Sequence, residues 1–150
     1  MLLGMLVTLA HIGSKDRYET LVDEYLKRCT GSMRCETQSF RNEKALFDWV
    51  GRLGGRTAAA TVLLDEKGKQ FISEDFASWM GKRRDEGIQH VVFAIGPADG
   101  WSEEARAAQS SAPRLSLGPM TMAHSLARLV MAEQIYRAFT ILTGHPYHRG

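Results

Sequence analysis

The sequence has only two cysteines in 150 residues, Cys29 and Cys35, and their spacing matches no zinc or thioredoxin-type motif. They read as ordinary reduced thiols, one near a helix end and one on a strand, as suits a cytosolic chain. No apolar run approaches the roughly 20 residues of a membrane span. The opening stretch MLLGMLVTLAHIG is apolar but lacks a basic leader and a small-residue cleavage site. It reads as a buried first strand, and the expected location is the cytoplasm. Neither G-x-G-x-x-G nor a P-loop occurs, which argues against other nucleotide-binding α/β enzymes. His145 and His148 have no third ligand at suitable spacing, so no metal is expected.

Linkers, repeats and low-complexity segments are also missing, so residues 1–150 read as one domain. Hydrophobic content of 44% is enough for a real core. Net charge is only +2, which does not announce a nucleic-acid binder. Its distribution says more. From Pro113 to Gly150 there are four arginines (Arg114, Arg128, Arg137, Arg149) against one acid, Glu133, so this quarter is the candidate anion-facing part.

Strand-like and helix-like patterns alternate. Leu3 to His11, Arg34 to Phe40, Ala60 to Asp65, His90 to Ile95 and Arg114 to Leu117 read as strands. Helices are expected over Lys15–Cys29, from Asn42 or Glu43 to Leu53, from Ser73 as N-cap to about Glu86, from Ser102 to about Ser110, and over Ser125–Leu142. Gly54 and Gly55 should stop the second helix, and EKGKQFI should be a loop. The pattern implies an α/β fold, a mostly parallel sheet with helices on both faces. In such sheets ligands sit beyond the C-terminal strand ends. The loops after Asp65, Ile95 and Leu117 therefore matter, and each carries glycine: Gly68, Gly96 with Gly100, and Gly118.

The last helix is apolar around much of its circumference. Met131, Ile135, Ala138, Phe139 and Leu142 form one stripe, and Leu129, Val130 and Ile141 widen it. The excess points to a second packing partner such as another copy of the chain. Arg128 interrupts the apolar arc and should be either paired or functional. Glu133 and Arg137, four residues apart, can pair on the helix surface.

Two more stretches stand out. LSLGPMTMAH is unusually apolar for a loop. Leu117, Met120 and Met122 suit a wall for an adenine ring or methionine chain, or else core or subunit packing. The terminal TGHPYHRG brings Tyr147 for stacking, Arg149 for a phosphate or base edge, and His145 to fix the tail. Pro146 stiffens it. From the residues alone, a docked packing tail and a functional tail both remain open.

In this order, LLD, IGPADG, LSLGPMTMAH, LARLVMAEQIYRA and HPYHR resemble the small SPOUT-class RNA methyltransferases across the full chain. More closely, they resemble the bacterial ribosomal RNA large subunit methyltransferase H family, which methylates N3 of a pseudouridine in 23S rRNA. The resemblance implies a C-terminal trefoil knot, a homodimer and S-adenosylmethionine as cofactor. By motif position the cofactor residues would be Leu64, Gly96, Gly100, Leu115, Ser116, Leu117, Gly118, Pro119, Met120 and Met122. Tyr147, His148 and Arg149 would form the catalytic tail, with His148 as general base. Arg128, Arg137 and His145 would be RNA contacts. The assembled ribosome is the implied substrate form. One departure is Pro97, where the family usually has a second glycine. The alternative is a non-catalytic RNA-binding or ribosome-associated module that kept the fold.

Overall fold

The computed structural model describes residues 4–53 and 58–149. The expected strand start at Leu3 and the Gly54–Gly55 helix stop lie outside the described residues. Five strands form one sheet: β1 (Met5–Ile12), β2 (Met33–Phe40), β3 (Ala60–Gln70), β4 (His90–Ile95) and β5 (Arg114–Ser116). Their order is β2-β1-β4-β3-β5, and every pairing is parallel. Side chains alternate across the pleat, so each strand feeds two cores. Met5, Val7, Leu9, Val91, Phe93 and Ile95 face one side, and Ala10, Ile12, Leu63, Val92 and Ala94 face the other.

Helices cover both faces. On the first lie α1 (Glu19–Lys27), α3 (Ser73–Asp85) and α5 (His124–Thr143), through Val22, Leu26, Phe76, Met80, Met131 and Ile135. On the second lie α2 (Glu43–Gly51) and α4 (Glu103–Ala108), through Leu46 and Ala105. Asn42 caps α2 by accepting from the Ala45 amide at 2.8 Å. Ser102 caps α4 in the same way, accepting from the Ala105 amide at 3.1 Å. Ser73 does not cap α3. The N-cap is Ile72, and the Ser73 hydroxyl donates to Gln134 on α5 at 2.9 Å.

β3 runs further than its composition implies. EKGKQ, expected as a loop, continues the strand, with Lys69 and Gln70 re-pairing to Leu115 and Ser116 after an irregularity. Gly68 makes this possible. A Cβ there would stand 2.6 Å from the Arg114 carbonyl carbon, so only glycine lets the two backbones approach.

The wide apolar surface of α5 has a partner within the chain. The helix packs against both α1 and α3 as well as the sheet, and Leu129 and Ile141 join that core. Val130 lines a cleft beside Phe71, Ile72 and Phe76, and Leu126 stays exposed. The helix ends on Gly144, whose left-handed φ of 73° reverses the chain. That reversal folds residues 145–149 back along α5.

Candidate active site

The middle of β3, at Leu64–Glu66 beside its pairing irregularity, and the loops after β4 and β5 enclose a cavity of about 280 Å³. Leu64, Gly96, Gly100, Leu115, Leu117, Gly118, Met120 and Met122, all expected cofactor residues, line it. Ser116 does not; it lines the neighbouring cleft between β3, α3 and α5. Pro119 lines neither. Met120 is 84% exposed at the mouth, a large apolar side chain with no core to bury it.

Trp101 organises the floor. Its indole Nε1 donates to the Leu64 carbonyl at 2.8 Å, tying the turn after β4 to the middle of β3. The ring lies on Gly96 so closely that a Cβ there would stand 2.8 Å from it. The turn closes through the Gly100 amide and the Pro97 carbonyl, 2.8 Å apart, with φ of +87° at Gly100. The left-handed residue is thus Gly100, and Pro97 occupies a position that does not require positive φ.

On the opposite wall, the Ser116 hydroxyl bonds both the amide and the carbonyl of Gly118, which takes φ of +140°. Acidic groups stand at the rim. Arg106 pairs with Asp65, and the Thr121 hydroxyl donates to Glu66 at 3.2 Å. Burial raises the Asp65 pKa, but the Lys67 amide and Arg106 outweigh it and hold the carboxyl below its ordinary value. Glu66 and Asp99 are exposed.

Behind the cavity lies a buried polar cluster. Among the described residues, four buried side-chain atoms there lack a hydrogen-bond partner: His11 Nδ1, Asp16 Oδ2, His124 Nε2 and Arg128 Nε. His124 lines the cavity, and its ring centroid is 6.3 Å from that of His11. Burial, and next the Arg128 charge, push His11 below the usual imidazole value.

Arg128 corrects an expectation. It is fully buried, donating to Glu19 at 2.6 Å and to the Thr37 hydroxyl at 2.9 Å, with Asp16 at 3.7 Å. Its charge is spent joining α5 to α1 and β2, which leaves none of it at the surface for RNA. Arg137 is also occupied. It holds Glu133 through two nitrogens, and its third terminal nitrogen faces His148 Nδ1 at 2.9 Å.

That contact fixes a tautomer. A guanidinium only donates, so His148 Nδ1 accepts and the proton sits on Nε2, which faces Glu74 on α3 at 3.2 Å. The Tyr147 hydroxyl donates to Glu133 at 3.0 Å, and its ring meets Tyr136 edge-on at 4.8 Å. Burial and then the bond to Glu133 push the phenol up to about 12, so it stays protonated at neutral pH. His145 is exposed and accepts the Tyr147 amide at Nδ1, an internal tail bond. Arg149 is exposed. The tail is thus docked and ordered, yet it does not line its own chain's cavity. Its anchors, Glu133 and Arg137, lie about 9 and 15 Å along the axis of α5 beyond Ala127, which does.

Asp65, Glu66, Asp99, His124 and Trp101 also line the cavity, and the sequence assigns none of them a role. Asp65, Asp99 and His124 stand inside the LLD, IGPADG and LSLGPMTMAH stretches, and Trp101 follows Gly100 directly. Its role depends on a contact with Leu64, 37 residues away. Among the described residues no helix is long and apolar enough to cross a membrane, and no group of three metal-binding side chains converges.

Residues 5–148 match the family described as "Predicted SPOUT methyltransferase". A ribosomal RNA large subunit methyltransferase H from Koribacter versatilis is 49% identical over 132 residues, covering 88% of each chain. One from Brucella ovis is 42% identical over 122 residues, covering 80% of this chain and 70% of that one. A chain that matches this family from Met5 to His148, and matches these relatives over most of its length, belongs to the SPOUT methyltransferases and, within them, to the ribosomal RNA large subunit methyltransferase H family.

Proposed function

We propose that the chain transfers a methyl group from S-adenosylmethionine to N3 of a pseudouridine in 23S rRNA. On this reading it acts in the cytoplasm as a knotted homodimer on assembled ribosomes. The observation that carries the reading is the family match over residues 5–148, which takes in the cavity segments of β3, the loops after β4 and β5, and the tail as far as His148. The relatives' names supply the RNA substrate class.

The cavity residues fit such a cofactor. Leu64, Ile95, Leu115, Leu117 and Met122 offer apolar surface for an adenine ring. Exposed Glu66 and Asp99 offer acceptors for ribose hydroxyls. When bound, the cofactor supplies an electrophilic methyl group on a sulfonium. N3 of pseudouridine carries a proton that must leave before or during attack. His148 takes that proton at Nδ1, once Arg137 has turned its N–H toward the incoming RNA. Tyr147, protonated, positions the base, and Arg149 holds a phosphate or carbonyl edge. Placing N3 in line with the methyl group then supplies much of the rate.

The separation of tail and cavity along α5 supports the dimer. A tail that lines no cavity of its own chain can serve the cavity of a second copy. Mixed dimers of a cavity-defective and a tail-defective chain should then regain activity that neither parent has.

Gly96→Ala tests the cavity. The added methyl drives the Trp101 ring off the Leu64 carbonyl. Overpacking of this kind costs about 1–3 kcal/mol, so cofactor affinity should fall roughly 10-fold or more in calorimetric titration. Unchanged affinity would move the cofactor away from this turn. If the wild-type chain binds no S-adenosylmethionine at all, the non-catalytic RNA-binding alternative takes over.

A further inference from the structure

Beside the tail, the C-terminal end of α1 presents a cation, Arg28, that lies outside the stretches singled out in the sequence. Arg28 caps the C-terminal end of α1 and is exposed. Its guanidinium carbon lies 5.6 Å from the ring centroids of both Tyr25 and Tyr136. Those rings are 5.9 Å apart, and Tyr136 in turn meets Tyr147 at 4.8 Å. Arg137 covers the far side of Tyr147 at 4.9 Å. One continuous belt therefore runs Arg28, Tyr25, Tyr136, Tyr147, Arg137.

The two arginines at its ends differ in a decisive way. Arg137 is neutralised by Glu133 and its remaining N–H group faces His148. Arg28, among the described residues, pairs with no carboxylate; its partners are the two rings. A guanidinium resting on aromatic faces is weakly hydrated and keeps its N–H edge for a bidentate acceptor. Phosphate is one acceptor that fits this edge, and it is the one an RNA strand supplies.

We infer that Arg28, held by Tyr25 and Tyr136, binds a phosphodiester of the RNA strand next to the target nucleotide and so positions the substrate at the tail. The inference rests on the rRNA-methyltransferase reading above. It names a substrate-positioning residue on α1, outside the C-terminal quarter that carries the charge excess.

The test compares wild type, Arg28→Gln and Arg28→Lys on ribosomes lacking the modification. Arg28→Gln keeps the aliphatic stem on the rings and removes the charge. KM for ribosomes should rise roughly 10-fold, as expected for one lost charge-assisted contact, with kcat within about twofold. The slope of log affinity against log salt should shrink by about one. Arg28→Lys should restore the slope and only part of the KM, because an ammonium lacks the fork. Melting temperature and the dissociation constant for S-adenosylmethionine should not move, which separates this role from a structural one. An unchanged KM and salt slope in Arg28→Gln, with wild type active, would overturn the inference. Wild type that methylates no RNA would overturn the reading beneath it instead.

Discussion

His148→Ala should lower methyl-transfer turnover by about 10²–10⁴-fold, the usual range for a lost general acid–base group. The cofactor dissociation constant should stay within about twofold, because the proposed cofactor residues lie on β3 and the loops after β4 and β5, whereas His148 is assigned to the proton of the RNA. The structure adds a condition. His148 Nδ1 is engaged by Arg137, and Nε2 faces Glu74. The imidazole is therefore stored in one tautomer with its lone pair covered. Arg137→Ala should expose the lone pair but also release Glu133 and unseat Tyr147. Its turnover should fall too, through lost positioning. Single-turnover kinetics separate the two, since only His148→Ala removes the proton acceptor itself. Turnover of His148→Ala within about threefold of wild type would assign the proton to solvent or to another group.

Arg128→Met should destabilise the fold by about 3 kcal/mol, the lower end for breaking a buried ion pair. In a chain of this size that lowers the melting temperature by about 10 °C. The cause is specific. Glu19 and Asp16 would face an apolar side chain in place of a guanidinium, and the Thr37 hydroxyl would lose its donor. Pairing Arg128→Met with Glu19→Gln should recover much of the loss, since the stranded charge goes with its partner. The same pair shapes acid stability. The hydrogen bond from Arg128 holds Glu19 below its ordinary value of 4.5. A depressed carboxylate contributes stability that is present above its unfolded pKa and lost as pH falls through the folded one. Wild type should therefore lose stability below about pH 4.5 more steeply than Arg128→Met does. A melting temperature in Arg128→Met within about 2 °C of wild type would show that the pair adds little.

Much of the fold was legible because its signals are local. Apolar runs such as HVVFAI and capping residues such as Asn42 and Ser102 declare themselves within a few positions. The cavity loops after β4 and β5 followed from the rule that parallel strands end at a site, whereas the expected loop after Asp65 is strand. What stayed hidden depends on distant partners. EKGKQ reads as a loop until Leu115 and Ser116 give it a strand to pair with. Ser73 reads as a cap until Gln134 takes its hydroxyl. Arg128 looks like an RNA contact until Glu19, 109 residues earlier, is found against it. The tail was recognisable by composition, but its separation from the cavity was not, because that depends on where α5 packs. The apolar girth of α5, which suggested a second copy, is met largely by α1 and α3.

The central claim is methyl transfer from S-adenosylmethionine to large-subunit ribosomal RNA. Its most direct test offers methyl-labelled cofactor and purified protein to assembled ribosomes, free large subunits and naked 23S rRNA, all lacking the modification. The account predicts label on one pseudouridine, strongest on assembled ribosomes and weakest on naked RNA, where a chain of net charge +2 has little grip. No label in any of the three would contradict it.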